Sequence, residues 1–376
     1  MLTPNDRPLS NGAKPIRLLI VNAVGPGYNG QMAFIMKYLR SMDRTGMEIG
    51  FVSIRMPPEP LRAELESLGV QVYALQRKRK PLSYVRNLSR LIRREGYTIV
   101  HAHGNSATLA LEMAAARLGG AHARIAHSHN THCRYAAAHY LLKPIFSRLT
   151  NVRMACGEAA GRWMFGRAPF EIIPIAADPE AYRFDQAKRD AMRRTLGVPE
   201  ECTLIGCVAL FTAVKNHGLL LEAFALARRS APQLRLVLIG DGPLRAQIES
   251  DIRRLNLSDA VMLTGAVTDV PERMQALDML VLPSLYEGFP NVLVEAQMSG
   301  LPILVSDQVT RDCDMTGLLT YLPLQADVWA EKMACAVPVN RSITSEKGCS
   351  AAAAHGYDVR KEAAKLRARY EELERN

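Results

Sequence analysis

The chain of 376 residues lacks any long uncharged apolar run, although 48% of its residues are hydrophobic. A membrane-spanning helix needs about 20 consecutive apolar residues, so the sequence predicts none. The seven cysteines form no close pairs and no spacing typical of zinc ligands, which excludes a small disulfide-stabilised scaffold. An odd, scattered cysteine count is typical of a reducing compartment, so we expect a cytoplasmic protein.

Two further patterns are missing. No predicted strand leads through Gly-x-Gly-x-x-Gly into a helix with an acidic residue about 20 positions on, so a dinucleotide oxidoreductase is a weak alternative. Aromatic residues make up only 6% of the chain and form no cluster among the basic residues. We therefore expect no binding of nucleic acid.

The length exceeds that of one typical hydrophobic core and predicts two domains. Buried strands alternate with helical segments in both halves, which predicts the α/β class with doubly wound parallel sheets. The segment from 182 to 197 is charged and then helical, and is interpreted as a linker. The predicted parts are a disordered lead at 1–14, domains at 15–180 and 195–350, and a terminal helix at 357–376 that crosses back to the first domain.

Positive charge is concentrated in the first half of the chain. Residues 1–180 hold 24 Lys and Arg against 12 Asp and Glu, whereas the remainder holds 23 against 25. The densest part is 77–94, where apolar residues recur at helical spacing among the basic ones. This pattern predicts an amphipathic helix whose basic face either contacts an anionic membrane or is simply solvated while the helix covers a sheet.

The most informative stretch runs from Tyr286 to Glu295. The apolar strand predicted at 279–283 precedes it, and a helical pattern follows, so Glu287 is expected in a loop at the carboxyl end of a parallel strand. The amides of Gly288 to Val292 would then open a helix, where unpaired N–H groups favour a diphosphate. Glu295, one turn inside, could accept hydrogen bonds from ribose, and Glu287 from a hexose. Two isolated glutamates would more simply be surface acids.

The complete string resembles the donor-site signature of the family 4 glycosyltransferases, which have the GT-B fold and retain anomeric configuration. The similarity extends from about Ile16 to the C-terminus and is strongest to the subgroup that builds bacterial exopolysaccharide and capsule. The further segments that carry it are Arg124–Thr131, Ala155–Gly157, Trp163–Gly166, Lys215–His217, Gly240–Arg245 and Asp269–Glu272.

The resemblance implies two Rossmann-like domains across a cleft, a UDP-linked sugar as donor, a glycan or lipid-linked acceptor, and neither a bound metal nor another cofactor. It implies peripheral association with the inner face of the cell membrane. It assigns donor binding to Lys215, Val267, Glu287, Gly288, Phe289, Pro290, Asn291, Val292 and Glu295. It assigns catalysis to His129, Glu287 and Lys215, and acceptor binding to Gly30, His103, Asn130 and Thr131.

Two patterns invite a metal instead. Histidines stand as His-x-His pairs at 101–103 and 127–129, each after a predicted strand, and such pairs could ligate zinc. The alternative is a set of structural histidines at strand ends, because no carboxylate or cysteine has matching spacing. Asp312-Cys313-Asp314 matches an Asp-x-Asp metal motif, but it lies beyond the donor helix and is interpreted as structural.

The chain departs from the family pattern at three places, one of which is Ile175–Asp178, where the family often shows Asn-Gly-Ile-Asp. The family usually has Gly-Arg where this chain has Ala209 and Leu210, and that arginine helps to neutralise the leaving diphosphate. The family's loop after the first strand commonly has two glycines and a glutamate, but here Asn29 and Met32 replace one glycine and the glutamate. These losses leave open an alternative, a nucleotide-sugar-binding protein of the same fold with weak or no catalysis.

Overall fold

The computed structural model describes residues 15–23, 25, 29–76, 81–131, 133, 136–287, 289–335 and 339–375. The predicted disordered lead at 1–14 lies outside these residues. The chain divides into two compact units, one ending at Ala176 and resuming at Val359, the other running from Ala177 to Asp358. No helix in the described ranges combines the length and the apolar character that crossing a membrane would require.

The first unit is built on a seven-stranded parallel sheet. Its strands are β1 (Ile16–Asn22), β2 (Met47–Ser53), β3 (Val70–Ala74), β4 (Ile99–Gly104), β5 (Ala123–Ser128), β6 (Val152–Ala155) and β7 (Glu171–Ile172). Its helices are α1 (Gly30–Ser41), α2 (Glu59–Ser67), α3 (Pro81–Glu95), α4 (Ala110–Gly119), α5 (Ala136–Leu149), α6 (Glu158–Phe165) and, at the end of the chain, α15 (Val359–Arg375). Alternate residues of β1 enter two separate cores, Leu18 on one face and Leu19 on the other, so helices cover both faces.

The second unit has a six-stranded parallel sheet. Its strands are β8 (Thr203–Val208), β9 (Leu234–Ile239), β10 (Val261–Gly265), β11 (Met279–Leu282), β12 (Ile303–Ser306) and β13 (Leu319–Leu322). Its helices are α7 (Pro179–Tyr182), α8 (Gln186–Thr195), α9 (His217–Ser230), α10 (Arg245–Arg254), α11 (Val270–Ala276), α12 (Asn291–Met298), α13 (Ala326–Ala334) and α14 (Arg341–Ala354).

Both sheets are doubly wound, and their strand orders fix where a ligand would bind. The first sheet has the order β3-β2-β1-β4-β5-β6-β7, and the second has the order β10-β9-β8-β11-β12-β13. The chain reverses direction across the sheet between β1 and β4, and again between β8 and β11. Open parallel sheets bind ligands beyond the carboxyl ends of the strands at such switch points. The loops that follow β8 and β11 are therefore the expected ligand loops of the second unit.

The segment predicted as a linker is instead part of the second unit. Arg189 and Arg193, both on α8, pair with Asp278 at 2.5 and 3.1 Å, and Arg193 also donates to the carbonyl of Cys202. Burial of these guanidinium groups requires partners, and the carboxylate and carbonyl oxygens supply them. The first unit accordingly ends at Ala176 rather than at 180.

The terminal helix α15 packs within the first unit. Arg369 forms a two-oxygen contact with Glu171 on β7, and the buried Tyr370 reaches the sheet. On the opposite face, α3 buries Leu88 and Ile92 in the core and leaves its arginines to solvent. The part of the predicted basic helix at 77–80 lies outside the described residues.

Candidate active site

The switch point of the second sheet joins two loops through an ion pair. Lys215, in a 3₁₀ turn after β8, places Nζ 2.5 Å from Oε1 of Glu287 in the loop after β11. The hydroxyl of Ser284 donates to the same oxygen at 2.6 Å, and the amide of Leu285 donates to the carbonyl of Val214 at 2.8 Å. The lysine and glutamate side chains are largely buried, so each depends on the other for charge compensation.

Lys215 has N–H donors that its contact with Glu287 does not use. An ammonium group has three N–H donors, and one of them is directed at Glu287. Among the described residues the other two donors have no acceptor, so they remain for an anion beside the lysine. The ion pair therefore fixes the position of the ammonium group and leaves donors for a phosphate.

Helix α12 opens next to this pair. It begins at Asn291, and no side chain of the described residues caps its first turn. The amide of Leu293 donates to the carbonyl of Pro290, which leaves the amides of Asn291 and Val292 for an anion. Glu295 lies one turn further on and is buried, with Asn291 on the same helical face. The buried Oδ1 of Asn291 has no hydrogen-bond partner among the described residues. A buried polar atom without a partner marks a place where a ligand or water completes the bonding.

The loop that carries Lys215 is held by a close backbone approach. Gly242 has φ of +159°, and a Cβ there would lie 2.7 Å from the carbonyl oxygen of Phe211. The amide of Phe211 donates to the carbonyl of Asp241, and that of Leu244 donates to the carbonyl of Phe211. The Gly-Asp-Gly segment singled out from the sequence therefore positions the loop after β8, because only glycine permits this contact.

The remaining predicted donor residues lie around the same edge of the sheet. Val267, Phe289 and Val292 pack as half-buried residues against one core, and the ring of Phe289 is tilted against that of Tyr357 with centroids 5.5 Å apart. Pro290 is buried immediately before α12. Gly288 lies outside the described residues.

The first unit contains a cluster of four histidines on neighbouring strands. His101 and His103 follow one another on the same face of β4, and His127 and His129 do so at the end of β5. The rings form two layers, with His101 stacked on His103 at 4.2 Å and His127 on His129 at 4.3 Å between centroids. We call these four residues the histidine cluster.

Hydrogen bonds connect the rings within each layer. His103 Nδ1 lies 2.8 Å from His129 Nε2, and His101 Nε2 lies 3.0 Å from His127 Nδ1. The hydroxyl of Tyr370, on α15, lies 2.6 Å from His101 Nδ1. A neutral imidazole has one donor and one acceptor nitrogen, so each contact fixes a tautomer.

Burial keeps the cluster uncharged. It lowers the pKa of both His101 and His129 to about 3, and it lowers the pKa of His103 and His127 well below the usual range. Phe34 on α1 adds to this apolar environment, with its ring edge-on to His127 and His129 at about 5 Å.

A zinc ion does not fit this arrangement as it stands. Ligand nitrogens of His101, His103 and His127 lie within 4.8 Å of one another. However, the ring nitrogens that could converge on a metal already face one another at hydrogen-bond distance, and an ion would have to separate them. We therefore describe the cluster as a hydrogen-bonded one. Asp314, of the Asp-x-Asp motif, caps a turn by accepting from the amide of Gly317.

The predicted acceptor residues differ in their exposure. Gly30 opens α1 with open space where a side chain would stand, and Asn130 and Thr131 follow β5 near the surface. His103 is buried beside His129 in the same layer and has little surface to offer an acceptor, so its direct contact with one stays a prediction. Its contact with His129 indicates that it positions that ring.

Sequence reasoning missed three residues of these sites. Ser284 was not singled out, although it stands three positions before Glu287 in the same loop. Tyr370, on the terminal helix, and Phe34 were not assigned to a site either. No spacing in the sequence connects 370 with 101, so this contact could not be predicted from the chain alone.

Comparison with known proteins decides the family. The model described as "Glycosyl transferase 4-like domain" matches residues 29–170, and that described as "Glycosyl transferases group 1" matches 188–316. EpsF of Bacillus subtilis (strain 168), a protein named as a glycosyltransferase, is 36% identical over 334 residues, which are 84% of this chain and 87% of EpsF. The chain belongs to the family 4 glycosyltransferases.

A second relative and a solved structure add to this picture. The Escherichia coli "UDP-Gal:alpha-D-GlcNAc-diphosphoundecaprenol alpha-1,3-galactosyltransferase" is 27% identical over 248 residues, covering 62% of this chain and 64% of that protein. The crystal structure of Anabaena Alr3699/HepE in complex with UDP and glucose has a TM-score of 0.75 and 18% identity, and the match covers 95% of this chain and 100% of that one. The fold of this glycosyltransferase is therefore GT-B, with two Rossmann-like domains.

Proposed function

We propose that this glycosyltransferase moves a sugar from UDP to a lipid-linked glycan during bacterial polysaccharide synthesis, with retention of configuration. The observation that supports it most directly is the convergence of Lys215, Ser284 and Glu287 beside the uncapped start of α12. This provides a cation, a carboxylate and a set of free amides at one switch point, which suits a sugar joined to a diphosphate.

We assign a role to each amide and side chain of the proposed donor site. The amides that open α12, together with Lys215, balance the negative charge that develops on the leaving diphosphate. Glu295 accepts hydrogen bonds from the ribose, and Glu287 accepts them from the transferred sugar. Val267 and Phe289 border the base and the phosphates. The chemistry is transfer to the same face of the sugar, assisted by the leaving phosphate, and we assign no protein nucleophile to it.

The first unit supplies the acceptor side. His129 is the most exposed member of the histidine cluster, and its Nε2 is engaged by His103, which leaves Nδ1 for a substrate hydroxyl. Asn130 and Thr131 follow it, and Gly30 leaves room on the other loop. A neutral imidazole held in one orientation can accept a hydrogen bond from the attacking hydroxyl and so orient it.

The choice of UDP and of a lipid-linked acceptor is supported by what similar proteins handle. HepE was crystallised with UDP and glucose, and the name of the Escherichia coli relative gives a UDP-sugar and an undecaprenol-linked acceptor. Such an acceptor lies in a membrane, and the exposed arginines of α3 are suited to contact anionic headgroups there. We further propose that transfer requires no bound metal, because the cation and helix amides take its place.

Calorimetric titration of UDP and GDP in the presence of a chelator tests the donor site. We expect micromolar binding of UDP, loss of that binding in Glu295→Ala, and no change in Glu331→Ala, an exposed glutamate on α13 that serves as the matched control. A panel of UDP-sugars then identifies the transferred sugar, and NMR of the product shows its anomeric configuration. Equal binding of UDP by wild type and Glu295→Ala would remove Glu295 from the site. Tight binding without turnover of any donor would favour the binding-protein alternative.

A further inference from the structure

The solvent-facing side of α5 is apolar. Tyr140, Leu141 and Ile145 have exposed fractions of 63%, 78% and 52%, and Pro144 between them is exposed as well. Their spacing places them in one stripe along the helix. Three of the exposed large hydrophobic residues in the described chain thus lie within six positions of each other.

This stripe is not the face that holds α5 to the protein. On the opposite side Phe146 is buried, and the buried His139 accepts from the amide of Ala107 and stacks on Trp163 at 4.7 Å. A helix of a globular protein normally presents one apolar stripe to the core and polar residues to water. A second, exposed stripe therefore indicates a surface that contacts something apolar.

The neighbouring helices give this surface a positive charge. Helix α4 packs between α3 and α5, and the three helices together expose Arg86, Arg90, Arg93, Arg94, Arg117 and Arg148. Of their two acidic residues, Glu95 pairs with Arg94 at 2.6 Å, and Glu112 is buried away from the surface and accepts from the hydroxyl of Tyr84. Apolar and cationic side chains thus share one side of the first unit.

We propose that α5 inserts Tyr140, Leu141 and Ile145 into the headgroup region of an anionic bilayer, with the surrounding arginines on the lipid phosphates. The combination of an apolar stripe with a cationic rim is that of helices that lie in the membrane interface. A second copy of this chain is a poorer occupant, because pairing the surface with itself would bring the arginine-rich faces together.

The proposal deepens the proposed function by naming the surface that contacts the acceptor's membrane, and it rests on that function for its purpose. Helix α5 begins seven residues after His129, so the membrane-inserted element directly follows the acceptor loop in the chain. It also adds a second element to the membrane contact expected for 77–94. The apolar residues of α3 that face inward, such as Leu88 and Ile92, are core residues. Helix α3 therefore offers arginines to the lipid phosphates, and α5 inserts apolar side chains into the headgroup region.

Sedimentation of the full chain with vesicles tests this surface. The vesicles contain either phosphatidylcholine alone or phosphatidylcholine with one third phosphatidylglycerol. We expect wild type to bind the anionic vesicles, and Leu141→Ser/Ile145→Ser to lower the partition coefficient about tenfold. The matched control is Ile343→Ser on α14 in the second unit, whose side chain has the same exposed fraction of 52% as that of Ile145. Equal binding by wild type and the double variant, or an equal loss in the control, would overturn the proposal.

A fluorescence experiment reports insertion itself. A tryptophan placed by Leu141→Trp should be quenched by brominated lipid in anionic vesicles, above the signal of the two native tryptophans, whereas Ile343→Trp should not be. No additional quenching in Leu141→Trp would overturn the proposal. So would a change of oligomeric state in the double variant without a change in vesicle binding, because it would assign the stripe to a contact between copies. The double variant should retain UDP binding, so failure of the donor-site titration is distinguishable from failure here.

Discussion

The ammonium group of Lys215 lies 2.5 Å from a carboxylate oxygen of Glu287, although the two residues stand 72 positions apart in the chain. Each residue follows a strand at the switch point of the second sheet, which is where the parallel arrangement brings two loops together. Both side chains are largely withdrawn from water, so removing either one leaves the other charge without its partner. Loss of either residue should therefore disturb the loop as well as the proposed donor site.

Lys215→Ala should lower kcat/KM by about a hundredfold and weaken UDP binding, because one of the groups that balance the diphosphate is lost. Steady-state kinetics and calorimetry measure the two effects. Lys332→Ala, at an exposed lysine on α13, is the control and should behave as wild type. Unchanged UDP affinity in Lys215→Ala would place the diphosphate elsewhere.

Leu210→Arg should strengthen UDP binding about tenfold, in the range of one added charge-assisted contact. Leu210 follows β8 with 53% of its surface exposed, at the position where the family usually carries an arginine. An arginine there would have space to reach an anion beside Lys215. The same change at the similarly exposed Ile343, in Ile343→Arg, should have no effect on UDP binding. Weaker binding in Leu210→Arg would show that this chain has replaced the missing cation in another way.

Gly242→Ala should destabilise the second unit by about 2–4 kcal/mol, because the new Cβ meets the backbone of Phe211 and the backbone conformation is strained. Gly218→Ala is the matched control, since a Cβ there meets no atom within 4 Å and the residue lies in the first turn of α9. That variant should be neutral or stabilising by up to about 1 kcal/mol. Urea denaturation measures both, and equal effects would contradict the role assigned to Gly242.

Much of the fold followed from periodicity, because buried parallel strands are continuous apolar runs between helices. The apolar strand predicted at 279–283, for example, corresponds to β11. Strands β6 and β13 were missed, since each has only four residues and no long apolar run. The 182–197 segment was predicted as a linker because it is highly charged, yet the partner of its buried arginines is Asp278, about 85 positions away. Sequence alone does not reveal such a partner.

The positions of the proposed donor residues were easier to predict than the contacts within the histidine cluster. Glu287 and Glu295 belong to one short segment, and the helix that begins at Asn291 places both. The relation of His103 to His129 depends on the pairing register of β4 and β5, and the relation of His101 to Tyr370 depends on where the terminal helix packs. Both contacts join residues that are far apart in the chain. The sequence could therefore place the histidines at strand ends but could not assign which of them contacts a substrate.

His103→Ala should lower kcat about tenfold while leaving the affinity for UDP unchanged, because His103 holds the ring of His129 in one orientation and belongs to the first unit. His103→Gln should recover part of the loss, since its amide can supply a hydrogen bond to Nε2 of His129. The partial rescue separates positioning from a general loss of packing. Equal kcat in both variants and wild type would show that His129 needs no such support.

The histidine cluster should make the protein less stable as the pH falls below about 6.5. In the folded protein burial lowers the pKa of all four histidines, to about 3 for His101 and His129, so they remain neutral while the unfolded chain takes up protons. Each should cost about 1.4 kcal/mol of unfolding free energy at pH 5.5 relative to neutral pH, and nothing above about pH 7. Urea denaturation at the two pH values measures the slope. His139 and His217 also have pKa values lowered by burial and contribute to the slope. His103→Gln/His129→Gln should therefore reduce the slope by about a third, whereas His355→Gln, at an exposed histidine, should leave it unchanged. An unaltered slope in the double variant would mean that these rings are protonated in the folded protein, and that His129 does not offer the neutral nitrogen on which its proposed role depends.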